Sequence, residues 1–259
     1  MTKSSSSTNS DLKINTIKFS LPRSLRKCSV WIGLLLTLAV FFILVNLGLW
    51  QLERAQEKQV MEQVLSAREQ SAVIGIDELH LADLTYVTGV KVAAKLSPIK
   101  GRYLLLDNQI YQGEVGYLAY QLMESEKGMK VLLERGFLPA STQREQLPKV
   151  AWLTAPINIT ARLYQRSANP LSDKLYMETS IPHRIQNLNI ERLTQIWGYS
   201  IQPYVLQPIA SEWPYPQPWQ PVPLGSNKHF GYSIQWFSMA AALLILSLWV
   251  TFRLCKGKE

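Results

Sequence analysis

The chain has 259 residues, a formal net charge of +8 and a pI near 9.4, and it contains two cysteines. This length allows one or two domains, and because Cys28 and Cys255 lie near the two ends, the central part can hold no disulfide, thiol redox pair or thiolate metal site. The positive charge is concentrated at the ends as well, so the body of the chain gives no reason to expect nucleic-acid binding.

Residues 28–52 form the first candidate membrane segment, because they contain no Lys, Arg, Asp or Glu. A helix needs about 20 apolar residues to cross a bilayer. A cleaved signal peptide is the alternative, but its apolar core is about 7–15 residues long, and no small-x-small cleavage site follows this segment. We therefore predict a retained transmembrane helix that follows a basic tail of residues 1–27.

Residues 53–207 form a domain that begins with good helix formers. The stretch "QLERAQEKQVMEQVLSAREQ" should continue the first helix out of the membrane to about residue 70. Five short runs rich in β-formers follow, separated by Gly, Pro and Asn-Gln turns. Gly113 and Gly116 lie where a strand pair would need a bend or a bulge.

One short helix is also predicted in this domain, in "NIERLTQIWG", opened by Asn187 or Asn189 and closed by Gly198. The strands should form a compact antiparallel sheet, as a barrel or a sandwich, with one or two helices. The sequence as a whole predicts an α+β membrane protein in which two transmembrane helices flank a β-rich antiparallel extracytoplasmic domain.

Residues 208–228 form a proline-rich tether, which includes "PIASEWPYPQPWQPVP". Such a segment cannot form a helix or an inner strand and favours an extended, polyproline-like conformation. One interpretation is a stiff tether packed along the domain or the membrane edge. The other is a strip that exposes Trp213 and Trp219 for a partner.

Residues 229–252 form the second candidate membrane segment, followed by a tail of residues 253–259. The segment has no Lys, Arg, Asp or Glu and is apolar on every side, which suits lipid better than the one-sided core contact of a soluble helix. The tail holds three basic residues and one acidic residue, and residues 1–27 hold six basic residues and one acidic residue. By the positive-inside rule both termini should be cytoplasmic.

The domain then lies on the other side of the membrane. We expect a bacterial inner (cell) membrane with the domain in the periplasm. A mitochondrial inner membrane, with the domain in the intermembrane space, is the alternative, but a transit peptide would be richer in Arg than the Ser-rich start of this chain.

Enzyme motifs are missing from the sequence. It has no G-x-S-x-G, G-x-G-x-x-G, Walker loop or H-E-x-x-H. Its three histidines, His80, His183 and His229, are far apart in sequence, and none has a neighbouring His or Cys. The sequence therefore gives no positive reason to propose catalysis.

The stretch "NKHFGYSIQWFSMA" contains the strongest candidate for a binding site. On a helix His229, Tyr232 and Trp236 share one face, and Gln235 is adjacent. One interpretation is an interfacial aromatic belt. The other is a ligand site, in which a neutral imidazole of His229 binds haem iron or another metal and the rings flank a flat macrocycle.

The end of the first helix should lie at the same depth, because the two membrane helices are antiparallel. Trp50, Gln51 and Arg54 can therefore face His229 and its neighbours. Polar groups at this boundary are costly unless they are paired or functional. Arg54 could reach lipid phosphates, or it could hold an anionic ligand such as a haem propionate.

Four stretches in this order resemble the surfeit-locus-protein-one family: "LGLWQLERAQEK", "GEVGYLAYQLM", "VLLERGFLPA" and "NKHFGYSIQWF". The resemblance covers about residues 30 to 253. Arg135, Gly136 and Pro139 match a family strand that usually reads Arg-Gly-Trp-x-Pro, and Phe137 replaces its Trp.

This resemblance implies a non-catalytic assembly chaperone of cytochrome c oxidase in the respiratory chain, with two inner-membrane helices and a β-rich domain outside. The implied role is to help insert haem a into the oxidase large subunit. The implied ligand is the histidine that begins the second helix, here His229. Haem a would be held transiently and would not be needed for folding. The partners would be the oxidase large subunit and membrane lipid, with the haem a synthesis enzymes as a further candidate.

Three alternatives remain open from the sequence. A membrane-anchored scaffold would act through protein contacts without haem. A periplasmic membrane-bound enzyme would need a nucleophile and base that the sequence does not offer. A copper carrier would need external clusters of Cys or Met.

Overall fold

The computed structural model describes residues 23–80, 84, 86–143, 145–166, 172–222 and 224–256. Most of the predicted basic tail 1–27, the last three residues of the tail 253–259, and the side chains of Cys28 and Cys255 lie outside the described part. The chain divides into two compact units: residues 1–53 with 229–259, and residues 54–228.

The first unit contains the apolar parts of two long helices. Helix α1 spans Arg23–Glu69 and helix α3 spans Ser226–Lys256. Both are long and apolar enough to cross a membrane, and only 6% of each apolar window is buried. A core helix of a soluble protein would be mostly buried. The end of α1 at Glu69 confirms that the first helix continues to about residue 70.

The second unit is built around a sheet whose strands are numbered in chain order. Their bounds are β1 Ile74–Gly75, β2 Lys91–Tyr111, β3 Glu114–Ser125, β4 Lys130–Pro139, β5 Ile157–Tyr164, β6 His183–Ile185 and β7 Ile201–Pro208. A 3₁₀ turn, Ile76–Glu78, follows β1, and helix α2, Ile190–Trp197, precedes β7. Each of the five β-rich runs of the sequence contains strand residues, although the first run and the start of the second form one strand, β2.

The sheet closes on itself because β2 pairs with different long strands at its start and over the rest of its length. Its first part, from Lys91 to Leu96, pairs with β5, and the remainder, to Tyr111, pairs with β3. The path β2–β3–β4–β7–β5 therefore returns to β2. Of the two predicted architectures, this is a barrel.

The prediction of an antiparallel sheet is wrong in part, because the sheet is mixed. β1 and β6 pair with β2 in parallel, and β4 pairs with β7 in parallel. A parallel pair requires a long crossover, and the chain from β4 to β7 supplies one that includes β5, β6 and α2. The antiparallel pairs are β2–β3, β3–β4, β2–β5 and β5–β7.

The β2–β3 hairpin shows why the sequence has glycines at this point. Gln112 and Gly113 form its two-residue turn with φ values of 50° and 86°, and such turns require positive φ at both positions. Gly116 lies where β3 and β4 approach closely: a Cβ there would be 2.1 Å from the carbonyl oxygen of Leu138. The register shifts of the β2–β3 pair lie elsewhere, between Pro98 and Tyr103 and between Leu106 and Gln109.

Helix α2 closes one side of the core, and its ends are those the sequence predicts. Asn189, rather than Asn187, caps the start, its side chain accepting from the backbone N–H of Arg192 at 3.1 Å. Gly198 ends the helix in the left-handed conformation, with φ 69°. The side chains of Leu193 and Trp197 are buried in the core.

Candidate functional site

The central contact of the candidate site joins the two helices of the first unit. The Nδ1 atom of His229, in the first turn of α3, lies 2.8 Å from Oε1 of Gln51 in α1. The two residues are 178 positions apart in sequence. Close packing supports the contact, because a Cβ on Gly48 would be 2.7 Å from the ring of Phe237. The expected juxtaposition of Gln51 and His229 is therefore present.

With the Gln51 amide oxygen facing the ring, this hydrogen bond requires a proton on Nδ1 of His229. A carbonyl oxygen only accepts, so Nδ1 of His229 must donate to Oε1 of Gln51. In the neutral imidazole the lone pair then lies on Nε2. Metal-ligating histidines typically use one ring nitrogen for the metal while the other donates to an oxygen that orients the ring. In this tautomer Nε2 is the ring nitrogen that could accept a metal or a hydrogen bond.

The predicted aromatic neighbours differ in exposure. Trp236 is half-buried, whereas Tyr232 is 45% exposed and Trp50 is 48% exposed. Gln235 is also exposed. Among the described residues, no hydrogen bond joins any of these four side chains to His229. Their role around a ligand stays a prediction.

Arg54 belongs to the second unit, so its predicted position facing His229 also stays a prediction. Its Nη1 forms an ion pair with Oε2 of Glu57 at 2.7 Å. Both side chains are about half exposed, so this pair contributes little to stability. An exposed guanidinium remains accessible to an anion, whether a lipid phosphate or a carboxylate.

A buried polar network inside the barrel was not predicted from the sequence. Glu134 accepts from the hydroxyl of Tyr120 at 3.2 Å and from Nε2 of Gln207 at 3.0 Å. Arg166 donates to the Tyr120 hydroxyl at 2.7 Å, and Nε of Arg162 donates to Gln207 at 2.8 Å. These side chains come from four strands and the loop after β5, so only the folded barrel reveals the cluster.

Burial sets the direction of the pKa shift for three members of this network, Glu134, Tyr120 and Arg162. It raises the pKa of Glu134 above its usual value, although hydrogen bonds from Gln207 and Tyr120 and the charges of Arg166 and Arg162 oppose the shift. Burial also raises the pKa of Tyr120 well above its usual range, and it lowers the pKa of Arg162 to about 10. The network joins these strands, and burial makes its carboxyl group easier to protonate than an exposed one.

The proline-rich tether packs along the barrel. Nε1 of Trp213 donates to the carbonyl of Arg135 at 2.7 Å, and the Arg135 guanidinium lies 4.6 Å from the centre of the indole ring. The guanidinium of Arg162 lies 3.6 Å from the ring centre of Trp219. Nε2 of Gln207 also donates to the carbonyl of Pro218 at 2.8 Å. These contacts support the packed-tether interpretation, and Trp213 and Trp219 are half-buried rather than exposed.

A second contact at the start of α3 was also missed. The carboxylate of Glu62 accepts from the backbone N–H of Ser226 at 2.9 Å and from its hydroxyl at 2.6 Å. Glu62 therefore caps the N-terminus of α3, where a negative charge is favourable. Its sequence signal is one acidic residue among several on α1.

A family model described as "SURF1 family" matches residues 38–241. The chain belongs to the SURF1 family, which is the surfeit-locus-protein-one family that its sequence resembles. The match begins within α1 and ends within α3, so it covers the whole barrel, the tether and both partners of the Gln51–His229 contact. The SURF1 family is known as a family of cytochrome oxidase assembly factors.

Curated relatives carry the same family name. A "SURF1-like protein" of Rickettsia felis is 24% identical over 223 residues, which cover 82% of this chain and 93% of the relative. A "SURF1-like protein" of Rickettsia bellii is 22% identical over 224 residues, covering 82% and 88%. The likeness to these SURF1-like proteins therefore extends over most of each chain.

The SURF1 motif in β4 has a clear structural role here. Arg135 is buried against Trp213, and Gly136 has φ 119° with the tether directly over it. A Cβ on Gly136 would be 2.6 Å from the carbonyl oxygen of Pro216. Phe137, in place of the usual Trp, is buried in the core. This motif therefore holds the tether to the barrel.

Proposed function

We propose that this chain is an assembly chaperone that helps insert haem a into the large subunit of a haem-copper cytochrome c oxidase. The observation that carries the proposal is the Gln51–His229 hydrogen bond in a member of an oxidase-assembly family. With Oε1 of Gln51 as the acceptor, Nδ1 carries the proton, and the lone pair of Nε2 would be available to iron.

The proposed setting is a bacterial inner membrane that α1 and α3 both cross. Both termini would be cytoplasmic and the barrel periplasmic. The length and apolar composition of the two helices support this setting, and so does the excess of basic residues in the two terminal segments. The role proposed is non-catalytic, with haem a as cargo.

The residues around His229 fit such a cargo. Haem a supplies an iron that takes axial nitrogen ligands, and the described side chains offer one at this point. The rings of Trp236 and Tyr232 lie within two turns of His229 on α3 and could flank the macrocycle. Arg54 would hold a propionate. A site at the start of a membrane helix would let the farnesyl tail of haem a remain in lipid.

A scaffold without haem is the second candidate, and one observation favours it. The Gln51–His229 bond joins α1 to α3 whether or not a ligand is present, so these residues could serve helix packing alone. The oxidase large subunit would then be recognised through protein contacts.

The first test compares absorption spectra of the detergent-purified chain, co-expressed with haem a synthesis enzymes. The variants are His229→Ala and Gln51→Leu, with His183→Ala as the matched control on β6. We expect a haem a band in the wild type and in His183→Ala, and none in His229→Ala. Gln51→Leu should weaken haem a binding by about 10–100-fold, because it removes the oxygen that orients the ring.

Two results would contradict the haem proposal. A band of equal size in His229→Ala would exclude His229 as the ligand. No band in any variant, together with a loss of oxidase assembly in a folded His229→Ala chain, would favour the scaffold. Near-ultraviolet circular dichroism of each variant checks that the fold is retained.

A further inference from the structure

One face of α1 carries an exposed heptad pattern within its apolar part. The face is formed by positions spaced alternately three and four residues apart, and all of its side chains are exposed: Ile32, Leu35, Ala39, Phe42, Asn46 and Leu49. We call these six residues the outer seam. This spacing is that of the a and d positions in a left-handed helix pair.

The opposite face of α1 is the one that contacts α3. It contains Phe41, Leu44, Gly48 and Gln51, none of which is exposed. Gly48 packs against the ring of Phe237, and Gln51 is bonded to His229. At 100° per residue the two faces point in nearly opposite directions. The outer seam is therefore not the surface used within this chain.

Asn46 is the polar residue of the outer seam. Its Nδ2 donates one hydrogen bond to the carbonyl of Phe42 at 2.8 Å. Among the described residues, its second N–H and its Oδ1 make no hydrogen bond. Asn46 lies inside the uncharged stretch 28–52, six residues from its end, or about 9 Å along the helix. A partly satisfied amide facing hydrocarbon is costly, and such groups generally bond to a neighbouring helix.

We propose that the outer seam binds the outer seam of a second copy of this chain, in a parallel, two-fold symmetric pair of α1 helices. The symmetry brings Asn46 opposite Asn46. An amide carries both a donor and an acceptor, so each Asn46 supplies what the other lacks. A different partner helix would need a polar group of its own at this depth, whereas a second copy of this chain always has its own Asn46 there.

The rest of the outer seam suits this occupant. Ala39 lies one heptad before Asn46, and a small residue there lets the backbones approach closely, which is how helices associate in lipid. No charged residue interrupts the seam between Ile32 and Leu49. A single Asn at an a position also fixes the register of a helix pair. The inference rests on the bilayer placement of α1 proposed above, but not on the oxidase role.

Cysteine crosslinking in native membranes tests the geometry. In a chain with Cys28→Ser and Cys255→Ser, Ala39→Cys places a thiol in the outer seam, and Val40→Cys places one on the adjacent position outside it. We expect oxidation to give a disulfide dimer of twice the 29.5 kDa chain mass for Ala39→Cys, and little for Val40→Cys. Equal dimer yields from both positions, or no dimer from either, would overturn the proposal.

A second measurement tests Asn46 itself, by energy transfer between labelled chains in lipid vesicles. Asn46→Leu should weaken self-association by about tenfold, because lipid tails are as apolar as Leu and offer the helices no hydrophobic gain. The control is Thr37→Val, which also replaces a polar residue by an apolar one but lies outside the outer seam. The hydroxyl of Thr37 donates to the carbonyl of Gly33 within the same helix. Equal association in wild type and Asn46→Leu would exclude the amide pair.

Carbonate extraction distinguishes a failure of the bilayer placement of α1 from a failure of the proposed self-association. If the chain is released from membranes by alkaline carbonate, the bilayer placement itself is wrong. If it stays in the membrane as a monomer, or if Ala39→Cys crosslinks to a different membrane protein, the placement stands and the second copy is the wrong occupant.

Discussion

Replacing Gly136 by Ala should detach the tether from the barrel. The φ of Gly136 is 119°, a conformation that side chains rarely adopt, and strain of this kind costs about 1–3 kcal/mol. The new Cβ would be 2.6 Å from the carbonyl oxygen of Pro216 and 2.7 Å from Cβ of Tyr215. Relieving that contact means moving the tether, which breaks the 2.8 Å hydrogen bond from Phe137 N to Pro216 O.

The expected loss follows from these two parts. A broken backbone hydrogen bond costs about 0.5–1.5 kcal/mol, so together with the strain the free energy of unfolding should fall by about 3 kcal/mol. Guanidinium unfolding of the detergent-purified full chain, followed by tryptophan fluorescence, measures this. Limited proteolysis should also cut within residues 208–222 faster than in the wild type.

Gly101→Ala is the matched control for the contact with the tether. Gly101 also has a positive φ, 78°, but a Cβ there meets nothing within 4 Å. It should lose about 1–2 kcal/mol, from the left-handed conformation alone. The reasoning is refuted if the two variants lose the same stability, or if Gly136→Ala leaves the proteolysis of the tether unchanged.

Two further predictions concern carboxylates. The folded state raises the pKa of Glu134 above its usual 4.5, so the contribution of this group to stability is full below pH 4.5 and is lost as the pH rises through the raised pKa. In Glu134→Gln the free energy of unfolding should therefore depend less on pH above 4.5 than in the wild type. Parallel pH curves for the two proteins would contradict this. Glu62→Gln removes the charged cap on Ser226 and should lower the free energy of local opening at the start of α3 by about 1–2 kcal/mol. Amide hydrogen exchange at Ser226 measures this free energy, and unchanged protection would show that the cap is unimportant.

Local sequence signals predict the elements of this fold well. Helix α2 needs only Asn189, its amphipathic turns and Gly198, all within ten residues. Helix α1 follows from an uncharged stretch continued by strong helix formers. The strands follow from their own composition. Each of these elements depends on contacts between residues close in sequence, so the local residue pattern is enough to predict it.

Pairings between distant segments were harder to predict. The parallel pairing of Lys130 with Ile201 joins strands separated by two other strands and a helix. Strand β6 has only three residues and thus no pattern of its own. The network around Glu134 includes Gln207, which is 73 residues away in sequence. Nothing in the local sequence distinguishes Glu134 from a surface carboxylate.

The candidate site was partly predictable, because membrane helices impose a simple geometry. Two antiparallel helices of similar span bring the end of one next to the start of the other, which places Gln51 near His229 without knowledge of the barrel. Which nitrogen donates, and which aromatic rings are half-buried, depends on rotation about the helix axes, and that rotation is fixed by packing such as the contact of Gly48 with Phe237.

The double pairing of β2 sets the order in which the chain can fold during synthesis. Its first part pairs early only with the two residues of β1 and lacks its antiparallel partner until β5 is made, more than 60 residues later. Strand β4 lacks its parallel neighbour until β7 is made. The carbonyl of Pro218, which bonds to Gln207, arrives only a few residues before α3 begins. The barrel therefore completes late, at almost the same moment as the second apolar helix leaves the ribosome. A chain released early would expose open strand edges, which are sites of aggregation.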